Sequence, residues 1–387
     1  MAELPARRRF LSATGHAGLA ALLSPALFMR DAQGVPLDAA LGAAATPGAG
    51  ATLYQRALVL DANSIAGIGG LCCDKETAEA VQIVRDSGVN AMKSTLGGFG
   101  GSFEETVADI ARAQQLFDRY PDSFIKVIRH DDLARAKREG QVAVIQSFEA
   151  ATMIEDKLDR IELFRQLDVL VMQLSYNHKS PLGCGCLDGD TEGVTPLGRE
   201  AIGKMNALGV ALDLSHANRA TTAQGIALSS KPPVISHAGC RSVYAHPRNK
   251  DDREMKALAD KGGVMGIYML PFLTEPNRQP TLDDYMRHMA YALKVCGEDH
   301  VGIGTDSLFF EVTPDDLKEL AKDTQERIKR GVAAPGENRP PYIPDINTPR
   351  KLERVADALL KHGYSERVAE KVLGLNFSRV FQANWTA

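Results

Sequence analysis

Two histidines close apolar runs in nearly the same local script: His216 ends "LDLSH" and His237 ends "VISH". Two acids hold comparable places, Glu149 in "IQSFEAA" and Asp306 in "VGIGTDS". Imidazole nitrogens and carboxylate oxygens together are the ligand set of zinc and similar divalent ions. A lone histidine at the end of an apolar run is ordinarily a satisfied core residue. Two at the ends of consecutive runs, with a Glu two runs earlier and an Asp two runs later, point to a metal centre. Glu149, His216, His237 and Asp306 together offer imidazole and carboxylate ligands of that kind. One run breaks the pattern. "LVLDANSIAG", Leu58 to Gly67, ends on Asn63, Ser64 and Ile65, which grip a cation weakly or not at all.

These residues need elements that bring them together. From Thr52 on, short β-rich runs alternate with helix-length amphipathic segments. The runs are Ala57–Ile65, Val89–Leu96, Val142–Glu149, Val169–Tyr176, Val210–His216, Val234–His237, Gly263–Tyr268 and Val301–Asp306. They are continuously apolar, as parallel strands covered on both faces are. Eight strand–helix units predict a (β/α)8 TIM barrel in one domain, with a C-terminal helical region after the Pro-rich stretch Gly331–Pro349. A doubly wound open sheet is the alternative, but no G-x-G-x-x-G turn follows the first strand. In such barrels chemistry sits at the C-terminal ends of the strands, where Asn63, Lys93 or Thr95, Glu149, Tyr176, His216, His237, Tyr268 and Asp306 fall.

The bulk numbers exclude several classes. The 387 residues are 44% hydrophobic and 24% charged, with a formal net charge of -4, so no basic face for nucleic acid is indicated. No apolar run in the body is long enough to span a bilayer. The N-terminal "ARRRFLSATGHAGLAALLSPALF" joins Arg7, Arg8 and Arg9 to Phe10, Leu11 and a short apolar run. That order resembles a twin-arginine export signal and predicts a periplasmic or otherwise exported protein; a disordered basic tail is the bland alternative. An Ala/Gly linker to about residue 51 would follow. Among six cysteines the Cys72-Cys73 and Cys184-x-Cys186 spacings do not fit a zinc knuckle, and in an exported chain one or two disulfides are expected.

The blocks "LDLSHANRAT", "ISHAGCRSVYAHPRNKDD", "VGIGTDS" and "VLGLNFSRVF" resemble the membrane (renal) dipeptidase family of metallopeptidases, over essentially the whole chain after the N-terminal segment. The resemblance implies an amidohydrolase-like barrel with two zinc ions bridged by a carboxylate, hydrolysing dipeptides and related amides. By motif, Glu149 falls at the bridging carboxylate, His216 and His237 at the ligands of the second metal, and Asp306 at the acid that handles protons. Arg248 in "HPRN" matches the arginine that binds the substrate's free carboxylate, a bidentate task that suits guanidinium. Two positions depart. The family's first strand ends in a His-x-Asp pair that holds the first metal, and here those positions are Asn63 and Ile65. Tyr176, in "QLSYNHK", stands where many members have a substrate-binding histidine. Its hydroxyl can still donate to an oxyanion, or its ring merely packs over the pocket. His178 is read as a solvated loop residue.

The expectation is a metallo-dipeptidase acting on a small dipeptide-like substrate with Zn2+, one ion favoured over two, and with a possible homodimer. The competing readings are an inactive barrel that keeps a metal or ligand, and a hydrolase of another small amide or lactone. Of the remaining candidates, Lys93 is read as a packed or ion-paired lysine, Asp213 as support for a neighbouring histidine, and Asp61 as a structural acid. His246 is read as a structural hydrogen-bonding residue, and His130, His288, His300 and His362 as surface.

Overall fold

The structure, a computed structural model, describes residues 49–65, 75–98 and 100–385. Parallel strands follow one another around a barrel: β1 (Leu60–Ser64), β2 (Ala91–Thr95), β4 (Val142–Phe148), β5 (Val169–Gln173), β6 (Ala211–Asp213), β7 (Val234–Ala238), β8 (Val264–Ile267) and β9 (Val301–Ile303). Every described neighbour pair is parallel, and β9 returns beside β1, where Asp306 N donates to Asn63 O at 2.7 Å. The (β/α)8 architecture expected from the alternating runs is the observed one. A further strand, β3 (Phe124–Lys126), pairs with β4 outside the ring. It was not anticipated, because three residues are too few to show a period.

Burial explains the apolar runs. Leu60, Ala62, Ala91, Ala143, Ile145, Val171, Ala211, Val234 and Val264 form the barrel interior. Their neighbours Val59, Met92, Val144, Met172, Leu212, Ile235 and Met265 pack outward against the helices. Both parities are therefore apolar, which removes the alternation that a one-sided strand would show. The small interior residues leave a narrow lumen. At Gly304 an added Cβ would meet Ser236 O at 1.9 Å, so the approach to Asp306 requires glycine.

Helices α1 (Ala49–Arg56), α2 (Lys75–Asp86), α3 (Phe103–Arg119), α4 (Asp131–Glu139), α5 (Asp159–Gln166), α6 (Pro196–Leu208), α7 (Arg219–Leu228), α8 (Asp252–Asp260), α9 (Leu282–Cys296) and α10 (Pro314–Lys329) cover the barrel. Chain entry into several is fixed by N-cap hydroxyls, such as Ser102 before α3 and Thr281 before α9, each within a capping box. After α11 (Lys351–Lys361) and α12 (Glu366–Glu370), a π turn leads into α13 (Asn376–Asn384). Phe377, Phe381 and Trp385 plug the bottom of the barrel, and Trp385 Nε1 donates to Leu170 O. Removing one such ring, as in Phe381→Ala, would cost about 3–5 kcal/mol.

Helix α1 takes in the end of the Ala/Gly stretch read as linker, and buries Leu53 and Tyr54. The export-signal segment and Cys72-Cys73 lie outside the described residues. The other four cysteines, Cys184, Cys186, Cys240 and Cys296, are unbridged, contrary to the disulfide expectation among the described residues. His288 is also not at the surface. It is fully buried on α9, where Nδ1 accepts from Cys240 N and Nε2 donates to Leu273 O, and burial pushes its pKa down to about 4.

Candidate metal centre and active site

His216 follows β6 and His237 lies on β7, both buried. Each ring is held by its Nδ1. His216 Nδ1 donates to Asn177 Oδ1 at 2.8 Å, which leaves a lone pair on Nε2. Ser236 Oγ spends its proton on Asp213 Oδ2 at 2.6 Å, so it accepts from His237 Nδ1 at 2.8 Å, and His237 Nε2 likewise carries a lone pair. Asp213 is pinned in turn by Ser215 N, Ser236 N and the Ser215 hydroxyl, with buried Lys93 Nζ at 3.9 Å. Lys93 is thus the buried ion-pair lysine, and Asp213 the support behind His237.

The two Nε2 atoms face each other at 3.0 Å, and Glu149 Oε2 lies 3.8 Å from His216 Nε2. Two ring nitrogens so close need a proton or a metal cation between them. Glu149, His216 and His237 bring their ligand atoms within 4.8 Å of one another, and these residues fit a divalent ion in both chemistry and tautomer.

The other side of the mouth is filled by protein. Asn63 Nδ2 donates to Glu149 Oε1 at 2.8 Å and to Asp306 Oδ1 at 3.0 Å. Thr95 Oγ1 gives Glu149 Oε1 a second donor at 2.8 Å. Asn63 Oδ1 is buried without a hydrogen-bond partner. Ile65 turns into an apolar cluster with Leu308, Phe310 and Leu320. Asp306 has a φ of 49°, in the left-handed region that a non-glycine residue enters at a cost of about 1–3 kcal/mol. Its backbone is held there by the Asn63 carbonyl. Burial first, then repulsion from Glu149, raises its carboxyl to about 7. Asp61 is the structural acid expected: buried, it accepts from Thr305 N, Thr305 Oγ1 and Asn63 N, and so ties β1 to the segment after β9.

Residues 79–333 match the sequence profile of the membrane dipeptidases, peptidase family M19. The chain belongs to the membrane dipeptidase family. It is 23% identical over 287 residues to dipeptidase tcpJ of Claviceps purpurea (strain 20.1), covering 73% of this chain and 60% of that one. It is 28% identical over 242 residues to dipeptidase verJ of Clonostachys rogersoniana, covering 60% and 61%. The chain therefore spans about 60% of the length of these relatives. Among solved structures, an amidohydrolase from Pseudomonas aeruginosa is 30% identical with a TM-score of 0.75, covering 87% of this chain and 99% of that one.

The remaining residues of this dipeptidase-family site line a cavity above the ligand cluster, bounded by Ile65, Tyr176, His216, Arg248, Phe272 and Asp306 among others. Arg248 is 1% exposed; Nη1 donates to Ser215 O at 2.5 Å and Nη2 to His216 Nε2 at 3.2 Å. Tyr176 stacks on His216 with centroids 4.1 Å apart. His178 does not line the cavity. Its ring nitrogens contact Gly331 O and Asp188, and it is half-exposed. His246 is wedged against Phe272 with centroids 4.3 Å apart and donates to Pro335 O, as a structural histidine does.

Three participants were missed in the sequence. Asn177 and Ser236, which set the two tautomers, sit one residue from Tyr176 and His237, and that adjacency was the available signal. Arg327, from α10, reaches the Tyr176 hydroxyl, and nothing in an amphipathic surface helix marks it. Gly185 lets the "GCGC" loop press on Tyr176 and Asn177, where a Cβ would come within 2.2 Å of their backbone.

Proposed function

We propose that this chain is a hydrolase of dipeptides or closely related small amides that works with one divalent ion, zinc by first expectation, held by Glu149, His216 and His237. The carrying observation is the pair of Nε2 atoms 3.0 Å apart, turned toward each other because each ring is held through its Nδ1. An ion held by these three residues would supply Lewis acidity, for a water and for the scissile carbonyl. Asp306 takes a proton from the attacking water and returns it to the leaving amine as the C–N bond breaks. Asn63 holds Asp306 for this exchange. The Tyr176 hydroxyl donates to the oxyanion that develops on the carbonyl oxygen.

Arg248 binds the substrate's free carboxylate. His216 Nε2 cannot both ligate an ion and accept from Arg248, so an ion held there would leave Nη2 free of that partner. Ile65 and Asn63 leave no dedicated ligand pair on β1, which supports one ion rather than two. The same loss favours a second reading, a barrel that binds an ion without turnover.

One experiment separates them: hydrolysis of a dipeptide library by chelator-treated protein with and without added zinc, alongside metal counting. Zinc-dependent hydrolysis supports the first reading, and one bound ion with no hydrolysis of any dipeptide supports the second. We further propose that the protein is exported, on the Arg7–Leu11 pattern. Arg7→Lys with Arg8→Lys should then retain the full-length chain in the cytoplasm, as fractionation would detect.

A further inference from the structure

The cavity has a roof that the ligand cluster does not explain. Helix α10 and the segment after it cross over the mouth and are tied to three consecutive residues that follow β5. Arg327 Nη2 donates to the Tyr176 hydroxyl at 3.1 Å, Asn177 Nδ2 to Val332 O at 2.9 Å, and His178 Nε2 to Gly331 O at 2.9 Å. Asn177 also accepts from His216, so the roof and a metal-ligand histidine share one amide. Arg327 is itself steered: its Nε donates to Glu337 from the roof, and its guanidinium carbon stands 5.8 Å from the Tyr176 ring centroid. Arg327 is 7% exposed, and Tyr176, Arg327 and Glu337 all line the cavity.

We propose that Arg327 is a positioning residue that sets the Tyr176 hydroxyl for oxyanion donation, an inference that rests on the hydrolase reading above. A phenol oxygen that accepts from a guanidinium must send its own proton elsewhere. Tyr176 lines the cavity with its ring stacked on His216, so its hydroxyl belongs to the wall that a substrate oxygen would meet. The cation also polarises the O–H bond, making it a stronger donor than an unassisted phenol. Glu337 keeps the guanidinium from being a lone buried charge and leaves Nη2 aimed at the tyrosine. Arg327 touches no reacting atom in this arrangement. Its effect must pass through Tyr176.

The test is a double-mutant cycle on zinc-loaded, full-length protein: Tyr176→Phe, Arg327→Met and the double variant, with Arg327→Lys as the conservative change. With a dipeptide substrate, Tyr176→Phe should lower kcat by about a hundredfold, as loss of one oxyanion donor does. Arg327→Met should lower kcat by about tenfold or more with KM little changed, and the double variant should be no slower than Tyr176→Phe alone. Arg327→Lys, which keeps the charge without the fork, should recover part of the loss, and it carries the comparison if Arg327→Met fails to fold. Losses that multiply in the double variant would overturn the proposal, as would a rise in KM at unchanged kcat, which would make Arg327 a direct substrate contact.

A second readout does not depend on turnover. Binding of a phosphinate dipeptide analogue, tetrahedral at the reacting centre, should weaken in both single variants without further weakening in the double. If wild-type protein hydrolyses no dipeptide yet the analogue gives this pattern, the hydrolase reading fails and the Arg327–Tyr176 coupling stands. If dipeptides are hydrolysed and the pattern is absent, the coupling fails alone.

Discussion

On one side of the barrel mouth, His216 and His237 turn their Nε2 atoms toward each other across 3.0 Å, each ring locked by a neutral acceptor behind it. On the other side, Asn63 closes the gap between Glu149 and Asp306 with the two N–H bonds of a side-chain amide. The first arrangement is relieved by a cation; the second already has its donors. Two carboxylates near each other need positive charge or N–H groups between them, and an amide supplies the latter without a metal. One fold can thus finish two halves of a site by different chemistry, and the choice is visible at single side chains.

The sharpest break of that contrast is Glu149→Gln, which removes the carboxylate common to both halves. It should lose the bound ion and lower kcat/KM by about a thousandfold or more, read by metal analysis and dipeptide hydrolysis. Activity at wild-type level would mean the site is misplaced. Converting the amide side is the complementary change. Asn63→His with Ile65→Asp should raise the metal content from one ion per chain to two by elemental analysis; an unchanged count would mean that more than these two side chains excludes the second ion.

Ser236→Ala addresses the histidine half. It severs His237 from Asp213 and should weaken zinc binding about 10- to 100-fold in a chelator competition. Arg248→Lys keeps the charge but not the fork and should raise KM for dipeptides about tenfold or more with kcat less affected. A KM that does not move would argue against a substrate with a free carboxylate.

The smallest expected effect is a pH dependence on the amide side in chelated protein. The folded Asp306 carboxyl is raised to about 7 from an ordinary value near 3.8, so its stabilising contribution is full below about 4 and lost as pH rises through 7. Asp306→Asn, neutral at every pH, should therefore melt close to wild type at pH 4 and about 2–4 °C or more above it at pH 8. A gap that does not widen with pH would show that Asp306 is not held near neutrality.

Much of this was legible in the residues. Continuous apolar runs gave the parallel barrel because both faces of each strand are covered, and strand ends placed Glu149, His216, His237 and Asp306 together. What escaped was set by tertiary contact. His288 reads like any helical histidine, yet α9 buries it and two backbone groups satisfy both its nitrogens. The weak ligands of β1 were visible in "DANSI", but not that Asn63 would bridge two acids, since one partner lies 86 residues away and the other 243. Arg327 was hidden for the same reason, because its importance comes from where α10 lies and not from its local pattern.

The most direct test of a one-ion centre is elemental analysis of purified protein loaded with zinc and desalted. One tightly held ion per chain is expected, absent from His237→Ala; two tightly held ions per chain, or one that persists in His237→Ala, would contradict the assignment.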